Sequence, residues 1–125
     1  MRFYKCEICG NFVAMIYDSG INPKCCEQFM TEVVENTQED VATEKHIPVI
    51  EVKENSVKVT VGEVIHPMIP THFIEWIIVS TTEGNKRKVL TPADAPVAEF
   101  ALLPGEKVLE AYAYCNLHGL WKKTL

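Results

Sequence analysis

The chain is organised around one stretch, His66-Pro67-Met68-Ile69-Pro70-Thr71-His72-Phe73-Ile74-Glu75-Trp76. Each proline in it fixes its own φ and disfavours helix at the residue before it. His66 and His72 therefore cannot share one face of a helix. We expect both on a stiff loop that enters a strand at Phe73.

The segments that follow and precede this loop have the pattern of short strands. Apolar and β-branched residues predict strands over residues 46–53, 57–61, 73–82, 86–90, 97–103 and 107–115. Pro48 indicates an edge strand, and Glu83-Gly84-Asn85 predicts a turn. Six or seven short strands with a turn every 8–12 residues or so are typical of an immunoglobulin-like antiparallel β-sandwich. The predicted fold class is therefore all-β.

Composition excludes several classes of protein. A length of 125 residues suits one domain, or one domain with a small module, and a net charge of −5 argues against nucleic-acid binding. No segment is long and apolar enough to cross a membrane, and the N-terminus has no signal-peptide pattern. We expect a cytoplasmic protein, where thiols stay reduced and the five cysteines serve as metal ligands rather than disulfides.

The first 36 residues form the predicted small module. They contain Cys6-Glu7-Ile8-Cys9 and the adjacent pair Cys25-Cys26, with predicted strands at residues 3–5 and 12–16. A piece this short cannot bury enough surface to fold alone, so four thiolates on one ion would stabilise it. Tetrahedral sulfur suits iron and zinc equally, and a vicinal disulfide or dithiol is a third reading. A polar linker with a short helical turn is expected over residues 35–44, before a main domain at 37–125.

A second metal site is predicted in the main domain. Its candidate ligands come from three separate parts of the chain and lie beside Pro or Gly turns or at strand ends: His46, His66, His72, Cys115 and His118. Structural zinc is closed by four ligands, so five suit another metal. Four imidazoles could form a plane with the Cys115 thiolate below it, which leaves a shallow, open sixth position. Iron(II) in such a site is suited to one-electron chemistry with an oxygen species.

The same residues resemble desulfoferrodoxin, the family of two-iron superoxide reductases, over nearly the whole chain. The resemblance rests on five motifs: Cys6-x-x-Cys9 with Cys25-Cys26, Glu44-Lys45-His46-x-Pro48, His66-Pro67-Met68, His72-x-Ile74-x-Trp76 and Cys115-Asn116-x-His118-Gly119-x-Trp121. It implies a rubredoxin-like or desulforedoxin-like module with an FeS4 centre, followed by an immunoglobulin-like domain with a His4Cys iron. Zinc could substitute for iron at the four-cysteine site.

The resemblance also implies an activity, partners and residue roles. The activity is the reduction of superoxide to hydrogen peroxide, with electrons from a donor such as rubredoxin, in a homodimer. Lys45 would lie near the open position, and Glu44 could bind the ferric iron after turnover. The alternatives are a cupredoxin-like or FeS4 electron carrier without superoxide chemistry and a zinc-stabilised interaction module.

Overall fold

The computed structural model describes residues 1–37 and 42–125 and divides the chain into two compact units, Met1–Glu35 and Asn36–Leu125. The predicted linker lies partly on residues 38–41, outside the described residues. Its described end forms a single helical turn, α1 (Thr43–His46). Pro48 disfavours helix at Ile47, whose ψ of 125° is extended, so α1 ends at His46. Within residues 1–37 and 42–125, no helix has both the length and the apolar character of a membrane span.

The first unit is a small β structure with little interior. Strand β1 (Phe3–Lys5) pairs antiparallel with β2 (Phe12–Ala14) and β5 (Thr31–Val33), while β3 (Lys24–Cys25) and β4 (Gln28–Phe29) form a separate hairpin. The fully buried cluster consists of Tyr4, Cys6 and Met30. The predicted strand at 3–5 is found as expected, but the one predicted over 12–16 ends at Ala14.

The second unit contains seven strands in two antiparallel sheets. One sheet has the order β10-β7-β6, formed by Val97–Ala101, Ser56–Val61 and Pro48–Val52. The other has the order β12-β11-β8-β9, formed by Gly119–Thr124, Val108–Cys115, Ile74–Thr81 and Gly84–Val89. The predicted all-β, immunoglobulin-like sandwich is confirmed, and β6 with Pro48 is an edge strand as expected.

Side chains from both sheets fill one core. Val57, Val59 and Val61 alternate along β7 and are fully buried, while β8 and β11 contribute residues such as Ile77 and Ala113. This alternation follows from the period of two in a strand, which sends every second side chain to the same face. Cys115 belongs to the same cluster, so the last residue of β11 lies where the core meets the loops at one end of the sandwich.

Three further details of the predicted strands are wrong, all of them in the second unit. Residues 119–124 form the strand β12, which the pattern did not indicate because two lysines and a threonine leave only Leu120 and Trp121 as buried apolar positions. The turn after β8 lies at Thr82–Glu83, so Gly84 and Asn85 already belong to β9. His46 ends a helical turn instead of beginning a strand.

A buried carboxylate, Glu106, ties the turn before β11 to the sheet. It accepts hydrogen bonds from the Thr81 hydroxyl at 2.5 Å and from the backbone N–H of Leu103 at 2.7 Å. Lys86 on β9 forms an ion pair with it at 3.1 Å. The Thr81 hydroxyl, followed by the Leu103 N–H, lowers the pKa of Glu106.

We predict that Thr81→Val destabilises the second unit by about 1–3 kcal/mol, the usual cost of leaving a buried polar group without its partner. Chemical denaturation at pH 7 measures this cost, and the exposed Thr124→Val serves as the matched control. Because the folded pKa of Glu106 is lowered, its stabilisation is complete above the unfolded value of about 4.3 and is lost as pH falls below it. The cost of Thr81→Val should therefore shrink below that pH. A cost that does not change with pH would contradict this assignment.

Candidate metal centres

The second unit brings together the five predicted ligands of the main domain. One donor atom from each lies within 4.8 Å of every other, in a group formed by His46, His66, His72, Cys115 and His118. They come from α1, from the loop between β7 and β8, and from the end of β11 with the turn after it. The sandwich gathers these segments at one end, where loops of both sheets meet.

Backbone carbonyls fix the protonation of two of the histidines. His46 Nδ1 lies 2.7 Å from the Ala42 carbonyl oxygen, and His66 Nδ1 lies 2.7 Å from the Pro67 carbonyl oxygen. Because a carbonyl only accepts hydrogen bonds, both Nδ1 atoms carry the hydrogen and donate it. In the neutral rings this leaves a lone pair on each Nε2 atom, which is the form that binds a metal.

These lone pairs point at one another. His46 Nε2 lies 3.1 Å from His66 Nε2 and 3.2 Å from His118 Nδ1. Burial, above all, lowers the pKa of His46 and lowers that of His66 to about 4, so protons do not relieve the repulsion at neutral pH. A metal ion does: nitrogens at right angles on one ion lie roughly 3.0 Å apart when each bond is about 2.1 Å. The site therefore fits a cation.

The four imidazole rings are arranged as a square. Successive ring centroids around it lie 4.6, 4.6, 4.9 and 5.0 Å apart, and neighbouring planes cross at 74–87°. His46 and His72 stand on a diagonal, with centroids 6.4 Å apart and planes only 29° apart. Within the part of the chain that the structure describes, the buried Nε2 of His72 has no hydrogen-bond partner. An orphaned buried nitrogen is costly, and coordination to a shared ion would satisfy it.

Cys115 provides a sulfur to the same group. It is fully buried, and its Sγ lies 3.9 Å from His118 Nδ1. Burial raises the pKa of its thiol, but the backbone of His118 and Leu117 hydrogen-bonds to the sulfur and acts in the opposite direction. These hydrogen bonds favour the thiolate, which is the form that ligates metals.

Glu44 and Lys45 lie next to the ligands. Both are exposed on α1, directly before His46. The charge of Lys45 is close enough to help lower the pKa of His72, after burial and His118. The ligands themselves are deeper than a shallow site predicts: His46, His66 and Cys115 are buried, and His72 and His118 are half-buried. The exposed part of the site is thus the α1 side chains.

Gly62 allows α1 to approach the loop that carries His66. A Cβ at this position would lie 2.6 Å from the Glu44 carbonyl oxygen and 2.8 Å from the Lys45 carbonyl carbon. Val64 N–H also donates to the Glu44 carbonyl at 2.9 Å. Only glycine fits between these backbones, and this requirement was not recognised from the sequence.

Trp121 connects two ligands from distant parts of the chain. Its ring stacks on His46, with centroids 4.9 Å apart, and its Nε1 donates to the His118 carbonyl at 3.1 Å. These contacts connect the segments that carry His46 and His118. Trp76 and Tyr114 stack on each other, with ring centroids 5.7 Å apart.

The first unit brings its four cysteines together in a second group, in which Cys6, Cys9, Cys25 and Cys26 place their sulfurs within 4.8 Å of one another. Cys9 Sγ lies 3.6 Å from Cys25 Sγ, and Cys25 Sγ lies 3.9 Å from Cys26 Sγ. All four thiols are free, so the vicinal disulfide is excluded in this structure. A tetrahedral ion with bonds of about 2.3 Å to sulfur has sulfur–sulfur edges of roughly 3.8 Å, which matches.

The electrostatics of this group also require a cation. Backbone hydrogen bonds from Cys9 and Ile8 lower the pKa of Cys6 to about 6, whereas contacts with Cys9 and Cys6 raise the pKa of Cys26 to about 12. The sulfurs compete for negative charge, so four thiolates need an ion between them. Cys26 and Glu27 have φ values of 53° and 63°, in the left-handed region, as the sharp turn of adjacent ligands demands.

The donor set argues against a blue-copper carrier. Such a site uses two histidines and one cysteine with a weak axial ligand, so two of the four histidines would be left over. Here all four histidines converge with Cys115. Imidazoles with one thiolate suit iron, and both donor groups fit the two iron sites expected from the resemblance.

The fold and these two donor groups define a β metalloprotein with a tetrathiolate site and a separate histidine–thiolate site. Sequence comparison agrees with this class, since the desulfoferrodoxin family model matches residues 38–124. The chain belongs to the desulfoferrodoxin family. The desulfoferrodoxin of Nitratidesulfovibrio vulgaris is 48% identical over 97% of this chain and 94% of its own length.

Solved structures give the same result for the fold. The superoxide reductase from Treponema pallidum superposes with a TM-score of 0.82 and 40% identity, covering 98% of this chain and 97% of that one. A superoxide reductase from Giardia intestinalis, described as 1Fe-SOR, has a TM-score of 0.56 and 32% identity. It covers 66% of this chain and 97% of its own, so that relative matches only part of the present fold.

We predict that removing the metal from the four-cysteine group unfolds the first unit. Its buried cluster is too small to hold about 35 residues together without the ion. Amide hydrogen exchange of residues 1–35 should lose protection after denaturing extraction and metal-free refolding, and should regain it when iron or zinc is added. Strands of the second unit, with their continuous core, are the internal control. Unchanged protection of β1 in the metal-free protein would contradict this expectation.

Proposed function

We propose that this protein is a superoxide reductase, which combines superoxide with one electron and two protons to form hydrogen peroxide. The observation that carries the proposal is the convergence of four histidines and Cys115 into one group in a desulfoferrodoxin fold. His46, His66, His72, His118 and Cys115 would together hold the iron. When bound, ferrous iron supplies the electron, and the thiolate favours its loss by pushing electron density onto the metal.

The protein's own groups prepare the ligands. The Ala42 and Pro67 carbonyls hold the Nδ1 hydrogens of His46 and His66, which turns both Nε2 lone pairs inward. Burial raises the pKa of the Cys115 thiol, and backbone hydrogen bonds from His118 and Leu117 oppose this effect and so favour the thiolate that a metal binds. The Trp121 ring covers one face of the His46 imidazole, which would restrict rotation of the His46 side chain.

Lys45 and Glu44 lie at the exposed side of the site, where Lys45 would act on superoxide and Glu44 on the iron. Superoxide is an anion, and the protein carries a net charge of −5, so a local positive charge is needed to attract it. Lys45 is exposed, and its charge reaches His72. We propose that the ammonium group of Lys45 attracts superoxide. The Glu44 carboxylate would bind the iron after the iron has been oxidised. Lys122 is also positively charged, but its ammonium group forms an ion pair with Glu110 at 3.4 Å, so it is less suited to attract superoxide.

The remaining assignments follow from the family resemblance and from the chemistry of the thiols. Residues 1–36 would form the desulforedoxin-like FeS4 module, which also accepts zinc, and residues 37–125 the reductase domain. A small redox protein such as rubredoxin would supply electrons, and the protein would act as a homodimer. Five free cysteines suit the reducing cytoplasm, where superoxide detoxification would take place.

We predict that Cys115→Ser lowers the yield of peroxide from superoxide by at least about 100-fold, since even the outer partners of a metal site typically contribute 10–100-fold. Anaerobic metal analysis and peroxide release by the reduced protein measure this. The matched control is Cys26→Ser, which should alter the first unit and leave the initial oxidation of the second iron unchanged. Full activity of Cys115→Ser would exclude the axial thiolate.

We predict that Lys45→Ile slows the second-order reaction with superoxide by roughly 10-fold at low salt, because it removes electrostatic attraction. The rate should also depend less on ionic strength, as measured by pulse radiolysis across a salt series. Lys58→Ile removes the same charge from an exposed position on β7 and is the control. Equal rates and salt slopes in the two variants would remove Lys45 from the proposed mechanism.

Metal content distinguishes the proposed activity from its competitors. Anaerobically purified protein should contain two irons per chain, one for each donor group. Stoichiometric zinc at both sites would instead favour the interaction module, and a single copper with an intense blue colour would favour the electron carrier.

A further inference from the structure

Asn116 makes an unusual set of contacts that the proposed function does not use. It lies half-buried between Cys115 and Leu117, in the turn that joins β11 to β12. Its side-chain Oδ1 accepts a hydrogen bond from the Phe73 N–H at 2.9 Å, and its Nδ2 donates to the Thr71 carbonyl at 3.1 Å. Its backbone N–H donates to the Phe73 carbonyl at 3.2 Å.

These three hydrogen bonds fall on both sides of His72. The backbone of His72 itself exchanges two hydrogen bonds with Ile69, each 3.0 Å long. Five consecutive backbone groups, from the Thr71 carbonyl to the Phe73 carbonyl, are therefore all paired, and Asn116 pairs three of them. A primary amide suits this position because it both donates and accepts, whereas an aspartate only accepts.

His72 depends on its backbone more than two other ligands do. His46 and His66 each have an Nδ1 that is hydrogen-bonded to a carbonyl of a nearby residue, which orients the ring directly. Among residues 1–37 and 42–125, no group hydrogen-bonds to the buried Nε2 of His72, so coordination to an ion would satisfy this nitrogen. The position of that nitrogen is then determined by the segment that Asn116 holds.

We propose that Asn116 is a positioning residue that joins the candidate ligand His72 to the candidate ligand Cys115. Asn116 is covalently next to Cys115 and is hydrogen-bonded to both neighbours of His72, so one side chain sets the distance between two ligands that are 43 positions apart in sequence. This inference rests on the proposed histidine–thiolate metal site. Without the hydrogen bonds of the Asn116 side chain, the loop that carries His72 can move away from Cys115, and the site releases its metal more easily.

Cobalt(II) in place of iron provides a test that does not depend on superoxide chemistry. Its visible absorption reports the coordination number, and a thiolate-to-metal band reports the bond to Cys115. We expect Asn116→Ala to release Co²⁺ from this site to a chelator roughly 10–100-fold faster than the unsubstituted protein, the usual effect of losing an outer partner of a metal ligand. The visible spectrum should also change toward a lower coordination number.

Two further variants separate positioning from general stability. Asn116→Asp keeps the acceptor for the Phe73 N–H but loses the donor to the Thr71 carbonyl. Its rate of Co²⁺ release should therefore lie between the rates of the unsubstituted protein and of Asn116→Ala. Asn85→Ala removes an amide that accepts from the Ser80 hydroxyl near the far end of β8 and should release Co²⁺ at the original rate. Co²⁺ in the four-cysteine group is an internal control for each variant.

The outcomes distinguish this inference from the proposed function. Unchanged release and spectra in both Asn116 variants would overturn the role of Asn116 and leave the metal site intact. Equal acceleration in Asn116→Ala and Asn85→Ala would also overturn it, because the effect would then be one of stability. No uptake of Co²⁺ at the histidine–thiolate group of the unsubstituted protein would overturn both the inference and the proposed function.

Discussion

The second unit depends on one electrostatic constraint: nitrogen lone pairs that face one another need a cation between them. His46 and His66 donate their Nδ1 hydrogens to carbonyls, so their Nε2 atoms meet at 3.1 Å without a hydrogen to share. Burial keeps the rings neutral, which removes protonation as a remedy.

The sandwich brings the ligands together from segments that are far apart in the sequence. Each segment that carries a ligand is held by a specific contact. Gly62 allows α1 to pack against the neighbouring loop, Trp121 contacts both His46 and His118, and Asn116 joins the His72 segment to Cys115. Because these contacts act between different elements, the geometry of the ligands depends on the packing of the sheets. A site on such a frame can keep one side accessible for a small anion.

The two metal sites relate to their units in opposite ways. In the first unit the buried cluster consists of Tyr4, Cys6 and Met30, so one of the candidate ligands is part of the interior. Binding of the ion would supply the stability that this small cluster lacks. In the second unit the core runs through both sheets and includes Cys115 only at its edge. The folding of the first unit would therefore depend on its ion more than the folding of the second unit does.

The sequence by itself determined the residue types, the two ligand groups and the alternating strands, because these follow from local chemistry. Prolines excluded a helix between His66 and His72, and the alternation along Val57, Val59 and Val61 marked a buried strand. The strand β12 escaped notice because half of its residues are polar and it is recognisable only by its pairing with β11. Three features are visible only in the tertiary structure: which nitrogen of each histidine faces the centre, the close approach of α1 at Gly62, and the hydrogen bonds of the Asn116 side chain. Those features depend on contacts between residues far apart in the chain, and a one-dimensional pattern does not encode such distances.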